Sequence, residues 1–439
     1  MDVEPAQLFR PAEGLAYLDS ATYGLAPLPT TAAMRQALDA WEAGTARWID
    51  DWDVVAEEAR RHAAGIVGVE PANVALLPSA SVGVGTVAAG LGTTARIVVA
   101  ENEFTSLLFP LLVAGERGAV VTEVSVDMLA NAIELGTDLV AFSLVHMQTG
   151  RVAPAAQIIR RAHAVGARVL IDATHGVPFV DSFAAYADFV VCAAYKHLLC
   201  PRGTAFLTVR ADRIDELVPW NANWRAADDP YGRYVGGPLT LADSAARFDV
   251  SMAWHLWIGA ASSLDLIHRW RRVGVLDTVI DRAAELANRL GLTPTGSSIV
   301  SVPVTDMSVA RTELERHRIK AGVHTAAVRL SCHVYTTPDD VDRAVRVREP
   351  LVISTDRCCA RGIGGFEPRT CVKPFTVCPA APSSRAGVGH TGHHVRCPRR
   401  AHRPSGVLAG PVPDADADAV RSADLLRPRA GRDPAHAAR

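Results

Sequence analysis

The sequence predicts an α/β fold with a mostly parallel sheet, on three observations. Short, valine-rich apolar runs recur through the first half of the chain, helix-like segments separate them, and unusual polar groups follow the carboxyl ends of the runs. The runs are RIVVA (Arg96 to Ala100), AVVTEVS (Ala119 to Ser125), LVAFSLV (Leu139 to Val145), RVLID (Arg168 to Asp172), ADFVVCAAY (Ala187 to Tyr195) and GTAFLTV (Gly203 to Val209). Near-continuous apolar character, rather than alternation, marks strands covered on both faces, as in a parallel sheet flanked by helices. Between them, Ile158, Ile159, Ala162 and Val165 fall at helical spacing and Gly166 supplies a C-cap. Upstream, Thr30 to Gly44 reads as a helix capped by Thr30, with Met34, Leu38 and Trp41 on one face. A second helix-like stretch runs from about Asp53 to Gly65.

After about Phe248 the pattern changes. A long apolar helix from Trp254 to Trp270, another from Leu276 to Leu290, a strand at SSIVSVPV, a helix from Val309 to Lys320 and a short strand at AAVRLSCH read as a smaller α+β domain. The expected division is a large domain over 1–250, a small domain over 251–345 and a tail over 346–439, with the opening residues able to pack on the small domain. The tail is rich in Pro, Arg, Ala, Gly and Cys and has no hydrophobic period. Two readings of it stand. One is a disordered segment that buries too little surface to offset its ordering entropy. The other, favoured because the break falls mid-helix just after PDDVDRAV, is a change of reading frame near Arg346. Its cysteines and HTGHHVRC match no zinc spacing well, and no metal is expected.

At 439 residues the chain is long enough to bury a substantial core. Hydrophobic residues at 49%, charged residues at 21% and a net charge of -2 give no electrostatic reason to expect nucleic acid or an anionic membrane as partner. No apolar run is long enough for a membrane span, and MDVEPAQLFRPAEG lacks the pattern of a secretory signal. Of the eight cysteines only Cys192, Cys200 and Cys332 precede the tail, which points to a reducing, cytoplasmic setting.

In an open parallel sheet, ligands bind beyond the carboxyl ends of the strands. Reading past each run gives Glu103-Phe104-Thr105-Ser106, His146-Met147-Gln148-Thr149, Asp172 with Ala173-Thr174-His175, and Tyr195-Lys196-His197. A carboxylate, an amine, an aromatic ring and imidazoles at one edge suit pyridoxal phosphate. That cofactor needs a lysine for a Schiff base, an acid at its ring nitrogen and a flat group over the ring. Its phosphate would use the loop-to-helix turn at Ser79-Ala80-Ser81.

Together these segments resemble the class V aminotransferase family of fold-type I pyridoxal-phosphate enzymes. IDATHGVPF followed by CAAYKHLLCPRGTAFL carries the resemblance, with YLDSATYGLAP, SLVHMQTGRVAP, ARFDVSMAW and VRLSCHVYTTPDDVD in the family's order. It extends from about Leu15 to Val345 and implies a seven-stranded, mostly parallel sheet, a smaller C-terminal domain and a homodimer. It further implies that Lys196 carries the cofactor and acts as base, that Asp172 faces the ring nitrogen and that His175 approaches the ring oxygen. By the same resemblance Phe104 stacks on the ring, Ala80, Ser81 and Tyr195 hold phosphate, and Arg329 takes the α-carboxylate of an amino-acid substrate. Ser251, Gln148, His146 and Asn223 are candidates nearby, and His197 reads as packing.

Departures from the family pattern narrow the function. A cysteine desulfurase carries a mobile cysteine upstream of the substrate arginine, and none lies between Ser301 and Arg329. Phe104 stands where desulfurases have histidine, Met147 where they have asparagine, and Ala193-Ala194-Tyr195 where they have Ser-Gly-His. The favoured expectation is a cysteine-conjugate carbon–sulfur lyase working without an enzyme persulfide. A class V aminotransferase or an amino-acid epimerase is the alternative, and a regulatory or inactive relative the non-enzyme one.

Overall fold

The computed structural model describes residues 4–347 apart from Arg233 and Thr325. Both readings of the tail lie outside the described residues. The chain opens with β1 (Ala16–Tyr17), α1 (Leu28–Glu42), α2 (Val54–Val67), β2 (Val74–Leu77), α3 (Ala80–Ala89), β3 (Arg96–Ala100) and α4 (Thr105–Glu116). It continues through β4 (Val120–Val124), α5 (Leu129–Ala132), β5 (Leu139–Ser143), α6 (Ala155–Ala164), β6 (Arg168–Asp172), β7 (Phe189–Ala193) and β8 (Ala205–Val209). Then come α7 (Trp254–Arg272), α8 (Asp277–Arg289), β9 (Ile299–Pro303), α9 (Met307–Arg316), β10 (Ile319–Lys320), β11 (Gly322–His324), β12 (Ala327–Ser331) and α10 (Pro338–Arg346).

The apolar runs pair into a seven-stranded sheet of order β2-β8-β7-β6-β5-β3-β4. Only β8 runs against its neighbours; the other pairings are parallel. Each run is apolar throughout because successive residues enter different cores. In β5, Val140 and Phe142 pack on one face while Leu139 and Ala141 pack on the other, and β6 divides Val169 and Ile171 from Leu170 in the same way. Each such large buried side chain contributes about 1.5–3 kcal/mol. The class is α/β, as the sequence predicts.

A separate core joins Ala16 and Leu18 to side chains of α8, β9, α9, β12 and α10. There the antiparallel sheet β11-β12-β9 and the parallel pair β1-β10 place Arg329 beside the opening segment of the chain.

Several local expectations change. Helix α1 starts at Leu28 after Pro27, and Thr30 is not its cap; the Thr30 hydroxyl meets Ser263 on α7 at 2.7 Å. The buried side of α1 is Thr30 and Ala37, while Leu38 and Trp41 are 44% and 63% exposed. The cause is close approach to α7, where Met34 sits so near Gly259 that a Cβ there would come within 2.8 Å of its sulfur. Of the expected apolar face only Met34 makes that contact, and it does so because glycine stands opposite it on α7. Helix α9 is capped by Asp306 and ends at Arg316, because Arg318 turns to φ +52 and Ile319-Lys320 pair with Ala16-Tyr17. The run β2 and the apolar, proline-containing α4 carry no period that marks them beforehand.

The order β5-β3-β4 positions the site. The chain moves outward from β3 to β4, then returns to the other side of β3 as β5, so connections diverge at the β3 and β5 carboxyl ends and leave a crevice there.

Candidate active site

Four strand ends and one helix start build a cavity of about 280 Å³ in this crevice. From β3, Asn102 at φ +59 reverses the chain and presents Glu103 and Phe104 ahead of α4. From β6 come Asp172, Thr174 and His175; from β7 come Tyr195 and Lys196. At the far wall Ser79 caps α3, accepting from the Val82 N–H, and its hydroxyl lies 3.0 Å from that of Ser81. Ala80, Ser81, Phe104, Asp172 and His175 therefore line one cavity with Tyr195 and Lys196. Arg329 does not line it, although its charge acts on both Lys196 and His175.

The opening segment holds the lysine loop in place. The Gly24 N–H donates to the Tyr195 carbonyl at 3.0 Å, and a Cβ on Gly24 would lie 2.3 Å from the Lys196 carbonyl oxygen. Only glycine permits that approach.

Lys196 is 6% exposed, its Nζ 2.9 Å from His175 Nε2 and 5.3 Å from the Phe104 ring centre. Burial lowers its amine to about 8, with Asp172 opposing and Arg329 and Arg202 adding to the depression. Burial, and then the neighbouring Lys196, holds His175 well below the ordinary imidazole range, and its Nδ1 is buried without a partner. The Asp172 carboxyl is raised by burial, against hydrogen bonds from Thr174 and the charge of Lys196. Thr174 fixes this corner: its N–H donates to Asp172 Oδ1 at 2.9 Å and its hydroxyl accepts from the Ala193 N–H at 3.0 Å.

Groups without an assigned role stand in this cavity or, as Glu103 does, in the one beside it. Glu103 accepts from the Ser143 N–H at 2.6 Å and from the Ser143 hydroxyl, and burial raises it to about 7. Ser143 is paired with Asp172 across β5 and β6. The Arg202 guanidinium lies 5.3 Å from the Tyr195 ring centre and lines the cavity. Position after a strand end singled out Glu103 and Thr174, but nothing in the pattern marked Ser143 or Arg202.

The remaining candidates separate. His146 and Gln148 line a neighbouring cavity of about 410 Å³ that shares Ser143. Asn223 bonds locally, donating to the Asp249 carbonyl and accepting from the Arg225 N–H, and Ser251 is exposed outside both cavities. His197 packs among the rings of His175, Phe179 and His333. Met147 offers its carbonyl to Arg329 Nη1 at 2.9 Å.

The residues present fit pyridoxal phosphate. An amine lowered by burial, a buried acid, an aromatic face and the hydroxyl-bearing start of α3 share a cavity, and the unpartnered His175 Nδ1 leaves a polar atom there uncommitted. Fold and cavity together are those of a pyridoxal-phosphate-dependent enzyme. The chain belongs to the aminotransferase class-V family, whose model matches residues 16–344. It is 27% identical over 340 residues to an isopenicillin N epimerase from Streptomyces clavuligerus, covering 67% of this chain and 84% of that one. It is 30% identical over 271 residues to a probable cysteine desulfurase from Methanothermobacter thermautotrophicus, covering 58% and 66%. Among solved structures it is similar in fold to a C-DES mutant with glycine covalently linked to the cofactor (TM-score 0.71, 19% identity, 79% of this chain and 100% of that one). It is likewise similar to cysteine desulfurase CsdA from Escherichia coli (TM-score 0.68, 21% identity, 80% and 100%).

Proposed function

We propose that this enzyme is a carbon–sulfur lyase acting on a cysteine conjugate, and that it transfers no sulfur through a persulfide of its own. The state of the thiols carries this reading. Among the described residues the cysteines are Cys192, Cys200 and Cys332; all are buried, and burial pushes every one of their thiols up, that of Cys332 to about 12. A sulfur acceptor has to be a thiolate within reach of substrate. The likeness to a probable cysteine desulfurase supports cysteine as the substrate class.

In this reading Lys196 holds the cofactor through Nζ, Asp172 serves the ring nitrogen and His175 the ring oxygen. Phe104 covers the ring, and Ala80, Ser81 and Tyr195 hold the phosphate. When bound, pyridoxal phosphate supplies an aldehyde for the substrate amine and an electron-poor ring that takes up the pair left at the α-carbon. Asp172, sunk beneath the surface and held by Thr174, would keep a proton on the ring nitrogen. Lys196, released from the cofactor when the substrate amine takes its place, would take the α-proton at Nζ; in the cofactor-free chain burial already lowers this amine to about 8. Neutral His175, at 2.9 Å, aims that nitrogen without competing for positive charge. Arg329 takes the substrate carboxylate through its planar fork.

A second reading, amino-acid epimerisation, is favoured by the likeness to isopenicillin N epimerase over most of that protein's length. One experiment separates the two. Cofactor-loaded protein is incubated in D2O with L-cystine, S-alkyl-L-cysteines and L-alanine, and pyruvate, released thiol and α-deuterium in each enantiomer are measured. Pyruvate matched by thiol from the S-alkyl-cysteines, or by cysteine persulfide from cystine, supports the lyase, with the Cys332→Ala variant giving the same yield. No pyruvate from any conjugate, with deuterium appearing in both enantiomers, would replace it by the epimerase. The family resemblance also carries a homodimer, read by sedimentation of the loaded protein.

A further inference from the structure

Arg329 is held by segments far apart in the chain. Its Nη1 donates to the Met147 carbonyl at 2.9 Å and its Nη2 to the Thr22 hydroxyl at 2.6 Å. Thr22 passes the contact on, donating its own proton to Asp19 Oδ1 at 2.7 Å, while that oxygen stands 3.7 Å from Nη2. Arg329 is 2% exposed and Asp19 3%. The backbone makes room for the pair. Gly322 lies directly across the β11–β12 register from Arg329. A Cβ there would come within 3.2 Å of both Nε and Nη2 and 3.3 Å of Asp19 Oδ1.

This arrangement differs from a simple ion pair. A buried guanidinium without a nearby acid is strongly unfavourable, yet an acid clamped onto its fork would occupy the donors a substrate needs. Here the threonine hydroxyl stands between the two, so Asp19 supplies compensating charge without forming the bidentate contact. Nε remains buried and unpartnered. Each terminal nitrogen spends one N–H on Met147 or Thr22 and keeps its second, so the acid's charge is supplied without an acid closing the fork.

We infer that Asp19 and Thr22 are positioning residues for recognition of the substrate carboxylate: acting through Thr22, Asp19 fixes the plane of the Arg329 fork and leaves its donors to the substrate, in space that Gly322 provides. This rests on the reading of Arg329 given above, and the test separates the two.

L-Alanine and ethylamine differ only in the carboxylate. Each is titrated into cofactor-loaded protein, binding is read from the change in the cofactor's visible absorbance, and the ratio of the two dissociation constants measures carboxylate recognition. In Asp19→Asn and Thr22→Val that preference for alanine falls about tenfold, the loss of one charge-assisted contact. Thr22→Ser, which keeps the hydroxyl, restores it. Gly322→Ala, which crowds the fork and leaves every charge in place, lowers it as well. Cofactor absorbance of each variant checks that the site is assembled. If Arg329→Gln abolishes the preference while Asp19→Asn, Thr22→Val and Gly322→Ala all retain it, the positioning role is overturned and the reading of Arg329 survives. If Arg329→Gln itself retains the preference, that reading falls and the inference with it.

Discussion

Replacing Lys196 by methionine tests the electrostatics of the site without any substrate. In cofactor-free protein the Lys196 amine is lowered from 10.5 to about 8, chiefly by burial. Between those values the unfolded chain binds the proton more tightly than the native one. Protonated Lys196 therefore destabilises the fold in full below about pH 8, and the cost is relieved as pH rises toward 10.5. The span of about 2.5 pH units, at roughly 1.4 kcal/mol each, amounts to on the order of 3 kcal/mol. Methionine keeps an apolar stem of similar length and loses the hydrogen bond to His175, worth about 1 kcal/mol. The cofactor-free Lys196→Met protein should thus be more stable than the unaltered one by about 2 kcal/mol at pH 7, with the margin shrinking toward pH 10. Urea unfolding of both proteins across that range, followed by tryptophan fluorescence, gives the margin directly. No gain at pH 7, or a gain that grows with pH, would refute the account of Lys196 as a buried amine held against its preference.

Two further expectations concern the cofactor. Asp172→Asn removes an acid worth on the order of 4 kcal/mol to a cation about 4 Å away, so turnover should fall about a thousandfold while cofactor is still taken up. Absorbance and product formation measured on the same sample check the pair. Arg202→Gln should weaken binding of pyridoxal phosphate about tenfold and leave binding of pyridoxal, which lacks the phosphate, unchanged. Equal losses for both would place Arg202 outside the phosphate corner.

The sequence carried the α/β class, the limits of most sheet strands and the gathering of Phe104, Asp172, His175, Tyr195 and Lys196 at one edge. Those features are local: a strand buried on both faces must be apolar along its length, and the residue after it must emerge at the carboxyl edge. Helix α1 shows where local pattern fails. Its large residues suggested a buried face of Met34, Leu38 and Trp41; the tight approach of α7 keeps Met34 in contact, buries Thr30 and Ala37, and leaves Leu38 and Trp41 exposed.

The surroundings of Arg329 were beyond local pattern altogether. Asp19, Thr22 and Gly322 are scattered through the chain, and each is an ordinary residue until the β1–β10 and β11–β12 pairings bring them to one guanidinium, which also reaches the Met147 carbonyl after β5. The sequence by itself determined which chemical groups reach the sheet edge, because strand periodicity is a property of neighbours along the chain. Only the tertiary structure decided how those groups are charged and held. Burial depth, which lowers Lys196, and long-range hydrogen bonds, which hold the Arg329 fork, exist only once distant segments have packed.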